Sequence, residues 1–237
     1  MTEIDESNKE TNLAFYRKEQ TIEIAVFLFL IIPSMTLSLF AASQGPSSFV
    51  LTAVATIFRD MALVALIIFF VWRNRESLGM LGLVSRNVWT EFAIGVGLFL
   101  PMVYSAGLLI QALKAAGFTS PSAPLPALQA TGSIFEIILG TILVAIVAFS
   151  EETIFRGYLL LRFNNIFSSK LMSVFLSAFI FSLGHGYEGT AGMGTVGYLG
   201  ILFGLIYLWR GSLIAPMVMH FLLDFIGLIL FPLLGGK

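Results

Sequence analysis

Apolar residues in this chain come in long unbroken runs separated by short polar breaks. The runs fall at about 22–43, 49–72, 88–113, 134–162, 170–187, 195–209 and 213–232. Most reach the roughly 20 residues that a helix needs to cross a bilayer. None alternates with period two, the mark of a membrane β-strand. The pattern predicts an all-α, polytopic membrane bundle of about seven transmembrane helices around a buried polar cavity. A re-entrant helix in the C-terminal half would raise the number to eight. The fourth run is too long for one crossing, and the sixth is short and rich in glycine.

The breaks carry an orientation. Arg17 and Lys18 precede the first run, and Arg73, Arg75 and Arg86 follow the second. Arg162 and Lys170 stand between the fourth and fifth, and Arg210 between the sixth and seventh. The alternate connections, 44–48 and 117–132, hold no Lys or Arg. The positive-inside rule then expects a cytoplasmic N-terminus and an external C-terminus. Residues 1–20 are polar and of mixed charge, unlike a cleavable signal, so the first run is expected to be an uncleaved anchor. The expected organisation is a polar cytoplasmic segment, 1–20, and a single transmembrane domain, 21–237, with a Pro-, Ala- and Ser-rich external loop at 120–133.

Composition agrees. The 237 residues are 57% hydrophobic and 11% charged, whereas soluble domains carry about 25% charged residues. A net charge of -1 leaves no basic footprint for nucleic acid. With no cysteine, disulfides, thiolate metal sites and a cysteine nucleophile are excluded. Membrane lipid is the expected environment, and the oligomeric state is not encoded in any feature of the pattern.

Ionisable residues inside the runs change the picture. Each costs about 3 kcal/mol at the bilayer centre even on a lenient insertion scale. Yet Glu151, Glu152 and Arg156 lie within the fourth run, His185 ends the fifth, and His220 and Asp224 lie in the seventh. On a helix Glu151 and Glu152 diverge by about 100°. Glu152 and Arg156, four apart, share a face with the carboxylate on the N-terminal side. That pairing leaves Glu151 free to face a cavity and act on water; the alternative is a snorkelling cluster at the membrane edge. His220 and Asp224 also share a face, so Asp224 could orient His220 or join it at one ligand. A lone buried histidine is usually structural, but two in different runs, one with a carboxylate partner, point to a shared site.

Depth tests this. At about 1.5 Å per residue, His185 lies roughly 23 Å above the cytoplasmic start of its run, Asp224 roughly 18 Å and His220 about 12 Å above theirs. Glu151 reaches a matching depth, roughly 18 Å, only if its helix continues to about Phe163. The fourth helix is therefore expected to run straight through the charged cluster. The stretch Gly186–Gly200, with its many glycines, is expected to be mobile or partly unwound beside the cavity, with helix packing as the equal alternative for Gly200 and Gly204. Arg59 and Asp60 interrupt the second run; as helix neighbours they diverge, so each is expected to need its own partner, most simply as a structural tie to another helix.

At these residues the chain resembles the CPBP (Abi) intramembrane proteases, which include the CAAX prenyl endopeptidases. The family signature is Glu-Glu-x-x-x-Arg, Phe-x-x-x-His and His-x-x-x-Asn/Asp, in that order. It falls here on Glu151, Glu152 and Arg156, on Phe181 and His185, and on His220 and Asp224, with a catalytic core at 134–232. SLGMLGL (77–83) resembles the loop that precedes the first motif. The resemblance implies an intramembrane endopeptidase acting on a membrane-associated peptide or protein, prenylated in the CAAX branch, with a bacterial plasma membrane as the expected location. It implies Glu151 with His185 as activators of water, His220 and Asp224 at the oxyanion, and Glu152 with Arg156 holding the helix in place. The CAAX branch resembles Asn at the last position. Asp224 donates only when protonated, which favours orienting His220 or helping to bind a metal.

A divalent metal such as zinc could sit on Glu151, His185 and His220 with an open position for water, although the single-helix His-Glu-x-x-His pattern is lacking. Water activated without metal is preferred, and no cofactor is assigned. Two other readings remain: a non-enzymatic immunity or scaffold protein that kept the pocket, and a proton- or metal-coupled transporter.

Overall fold

The computed structural model describes residues 16–33, 48–84, 87–119 and 133–235. All regular structure among them is helical. Seven helices follow in order: α1 (16–33), α2 (Phe49–Arg73), α3 (Val88–Ala115), α4 (Ile134–Phe167), α5 (Lys170–Leu183), α6 (Gly189–Arg210) and α7 (Ile214–Leu233). Short 3₁₀ turns at Leu78–Leu81 and Gly186–Glu188 lead into α3 and α6. Five helices, α2, α3, α4, α7 and α6 counted from Gly186, are long and apolar enough to cross a membrane. The chain is an integral membrane bundle, as the runs predict. α5, with 14 residues, spans only about 21 Å. The end of the first run and the 120–132 loop lie outside the described residues.

Two expectations need correcting. The sixth run is not short: α6 is regular over the 22 residues Gly189–Arg210, and the glycine-rich stretch leaves α-helical winding only at its start, in the 3₁₀ turn Gly186–Glu188. A Cβ on Gly200 or Gly204 would sit 3.0 Å from side-chain carbons of Ala178 or Val174 on α5, so these glycines buy close helix approach. Arg162 is not a loop charge either. It lies inside α4 with a fully buried side chain.

The fourth helix does continue through the charged cluster, but not as plain α-helix. Residues Thr153–Leu159 wind as π-helix before α-helix resumes at Leu160. Two hydroxyls add second donors to carbonyls along this stretch, which also accept from backbone N–H groups. Thr153 Oγ1 donates to Phe149 O at 2.7 Å, and Ser177 Oγ, from α5, donates to Phe155 O at 2.6 Å. Gly157 opens a gap on the same segment: a Cβ there would lie 2.9 Å from the carbonyl oxygen of Leu81. The 77–83 loop thus packs into the π segment with Leu81 fully buried. Gly82 closes the loop at φ +81°, where L side chains are strained, and its carbonyl accepts from the Leu213 N–H at 3.1 Å.

A buried polar layer pins α1 and α2 to the far end of α4. Arg162 forms a two-pronged pair with Glu76, at 2.8 and 2.7 Å, and reaches Glu23 of α1 at 3.4 Å. Glu23 also accepts from Arg73 at 3.0 Å and Asn74 at 2.7 Å. The Arg162 guanidinium carbon lies 5.0 Å from the Tyr158 ring centre, and that ring packs on Phe27 and Phe70. Beside this layer Arg210 at the end of α6 holds the buried Glu91 at the start of α3 at 2.7 Å. Trp72, Trp89 and Trp209 are all exposed at this end of the bundle, as in an interfacial aromatic belt.

Burial separates the two arginines that meet Glu23. Arg162→Met leaves Glu76 without its cation in a dry layer, while Glu23 keeps Arg73 and Asn74, and is expected to cost about 3–5 kcal/mol. Arg73→Met removes a half-exposed partner, 48% accessible, and is expected to cost about 1 kcal/mol or less. Equilibrium unfolding of the two variants in detergent checks the contrast; equal losses would contradict it.

Candidate active site

α4 and α7 bring the polar residues together, and α5 and α6 line them with aromatic rings. Glu152, fully buried, is the hub. Its Oε1 accepts from Arg156 Nη1 at 2.9 Å, one helical turn along α4, and from His220 Nδ1 at 2.8 Å, across on α7. The i,i+4 spacing predicts the first contact, but the second is not visible in the sequence. It changes the assignment of partners, because the residue that orients His220 through Nδ1 is Glu152, not Asp224. Asp224 lies on the other side of the ring, with Oδ2 3.5 Å from Nε2. Glu151 faces the same nitrogen, Oε2 to Nε2 at 3.7 Å.

Aromatic faces replace the water that Arg156 would have outside a membrane. Its guanidinium carbon lies 4.3 Å from the ring centre of Phe181 and 5.1 Å from that of Phe203. A desolvated cation over a ring gains about 2 kcal/mol. The same two rings hold His220, stacked on Phe203 at 5.7 Å and edge-on to Phe181 at 6.1 Å. Phe181 also packs on His185, one turn further along, at 4.8 Å. The Phe-x-x-x-His motif is therefore a platform: one ring supports the ion pair and both histidines.

His185 ends α5, and its Nδ1 meets Phe181 O at 3.1 Å. A carbonyl can only accept, so Nδ1 carries the proton and Nε2 presents a lone pair. His185 makes no direct contact with Glu151 among the described residues; the charged groups acting on it are Glu188, His220 and Asp224. Glu188 and Tyr187, on the turn after His185, are half-buried beside the site, and the Tyr187 ring lies 5.8 Å from His185. Sequence reading passed over both, taking the Gly-Tyr-Glu-Gly stretch only for its glycines. Glu151 and Asp224 keep 18% and 23% side-chain accessibility, which sets them at the opening, with Glu152 and Arg156 behind.

Arg59 and Asp60 also differ from expectation. They bridge to each other, Arg59 Nη2 to Asp60 Oδ1 at 2.9 Å, because the long arginine side chain curls back past the 100° divergence. They lie within electrostatic range of Glu151, so the second run does reach the site.

Among the described residues no three His, Asp or Glu side chains converge as metal ligands. α7 leaves α-helical winding directly after Asp224, with π-helix over Phe225–Leu230. α4 and α7 thus change winding just beyond their site carboxylates, as π segments commonly do near functional sites.

Residues 133–226 match the family model of type II CAAX prenyl endopeptidase Rce1-like proteins. The match runs from the N-cap of α4 past Asp224 and takes in all three motifs, so the resemblance read from them is borne out over this stretch. That description is of a prenyl endopeptidase, and the match covers 94 of the 237 residues. No curated protein and no solved structure matches the chain.

The hydrogen-bond pattern fixes where the ring protons sit. Nitrogen-15 NMR of histidine-labelled protein is expected to show Nδ1 protonated on both rings. A neutral His185 protonated only on Nε2 would contradict the contact with Phe181.

Proposed function

We propose that this protein is an intramembrane endopeptidase in which Glu151 is the general base and His220 the oxyanion donor. The observation that carries the reading is the meeting of Glu151, His220 and Asp224 at one imidazole nitrogen, with the His185 lone pair alongside. Nε2 of His220 is faced by two acceptors, so an N–H there has partners, while a lone pair there has none.

Substrate enters from the membrane with its scissile carbonyl toward His220. Water lies between Glu151 and His185 Nε2. Glu151 takes one proton as the water oxygen attacks the carbonyl carbon. The carbonyl oxygen becomes an oxyanion, and the His220 N–H donates to it. Such a donor contributes on the order of 10²–10³ in rate. The C–N bond then breaks, and Glu151 returns its proton to the leaving amine. Glu152 keeps His220 turned to the carbonyl and Arg156 keeps Glu152 charged in a dry interior. Asp224 positions the His220 N–H until substrate arrives and needs no proton of its own. That role explains an acid where an amide would serve as a second donor. No metal takes part in this scheme. The substrate is a membrane-associated peptide, and a prenylated C-terminal segment is the first candidate.

Cleavage of an internally quenched farnesylated peptide by the full-length protein tests the reading. Glu151→Gln and His185→Ala are each expected to lower kcat at least 10²-fold while the proteins still insert and keep their melting temperatures within a few degrees. Chelator is expected to leave the wild-type rate unchanged. Full activity in Glu151→Gln would refute the mechanism, and loss of activity with chelator, restored by zinc, would refute its metal-free form.

A further inference from the structure

α2 and α4 run side by side in the same direction. Ala53 packs with Leu143 near one end, and the Phe70 and Tyr158 rings stack at 6.3 Å near the other. The facing stripes are Ala53, Ile57, Asp60, Val64, Ile67 and Val71 on α2, and Leu143, Val147, Ser150, Ile154 and Tyr158 on α4. Both follow the alternating three- and four-residue spacing of a helix–helix seam. The two end contacts set the register, and it brings Asp60 level with Ser150 and Glu151. A carboxylate and a hydroxyl thus replace apolar residues at the same height in an otherwise apolar seam.

Three polar atoms at that height have no hydrogen-bond partner among the described residues: Asp60 Oδ2, Ser150 Oγ and Glu151 Oε2, each buried from solvent. Asp60 and Ser150 are themselves almost wholly buried. Arg59 takes only Oδ1 of Asp60, which fixes the carboxylate and leaves Oδ2 for the seam. Buried polar atoms left in this way cost about 1–3 kcal/mol each, and a buried water typically satisfies about three of them.

We propose that Asp60 and Ser150 are positioning residues that grip Glu151 Oε2 through one ordered water in the α2–α4 seam. The grip holds Oε2, the oxygen that also faces His220 Nε2 at 3.7 Å, and so fixes how the carboxylate is turned in the cavity. Arg59 is the outer anchor of the bracket, and its place in mid-membrane follows from that task. The inference rests on Glu151 as the base for its effect on rate, but not for its effect on structure.

Two measurements on the full-length protein test it. The first is a double-mutant cycle on melting temperature with Asp60→Asn, Glu151→Gln and the double variant. A shared water makes the shifts non-additive by about 2 °C or more both in this cycle and in the matching cycle with the uncharged Ser150→Ala; charge repulsion between Asp60 and Glu151 couples only the first, and a purely structural role for Asp60 as the partner of Arg59 gives additive shifts. The second is cleavage of the quenched farnesylated peptide. Asp60→Asn is expected to lower kcat by on the order of tenfold to a hundredfold, the effect of a misplaced catalytic group, with KM within about twofold. Ser150→Ala, which keeps the Arg59–Asp60 pair, moves kcat the same way and replaces Asp60→Asn in the cycle if that variant fails to fold. Additive melting shifts overturn the proposal whatever the activity. If wild-type protein cleaves nothing, the protease reading fails, and the cycle alone decides the bracket.

Discussion

In the interior of a membrane bundle a charge must be met by protein, and at Glu152 one carboxylate oxygen meets two partners. Arg156 reaches it along α4 and His220 reaches it from α7. The first contact neutralises the acid, and the second fixes the rotation of the imidazole. Neither would hold alone: a buried pair with one member removed leaves an uncompensated charge that costs several kcal/mol. The rings of Phe181 and Phe203 close the remaining sides. They exclude water from the pair and at the same time support the histidine. The more exposed groups, Glu151 and Asp224, face the cavity in front of this buried ion pair.

Much of this was legible in the sequence, for reasons that separate by range. Helical runs, the continuity of the fourth helix and the Glu152–Arg156 contact depend on residues near each other in the chain, and spacing reveals them. Three motifs in order gave the set of site residues. Contacts between helices were not legible. The Glu152–His220 bond joins residues 68 apart, and no periodicity encodes it. The Arg59–Asp60 pair was misread because a 100° divergence describes Cβ directions, while an arginine side chain is long enough to turn back. Arg162 was counted with loop charges because the apolar run seemed to end there; its partners, Glu23 and Glu76, lie on helices whose register with α4 could not be known.

The winding changes were also out of reach. A π segment differs from an α-helix by one residue in the hydrogen-bond ring, and side-chain patterns over seven residues do not resolve it. Its traces here are small: a threonine and a distant serine that give carbonyls a second donor, and a glycine where another backbone comes close. Each is unremarkable alone. Together they let the segment after the two glutamates widen without leaving polar backbone in a dry core, which a membrane protein cannot tolerate.

The Arg162 layer has a consequence for how the chain is made. Helix α4 carries Glu151, Glu152, Arg156 and Arg162 into the membrane, a poor candidate for insertion by itself. Both carboxylates that receive Arg162 belong to segments synthesised earlier, α1 and the turn after α2. When α4 leaves the ribosome its acceptors are already in place, so Arg162 need never cross lipid unpaired. Glu152 is served differently. Arg156, four residues on in the same helix, shields it until α7 arrives last with His220. The order of the genetic message thus doubles as an order of neutralisation, and a permuted gene encoding the same contacts would have to find another way to bring these charges in.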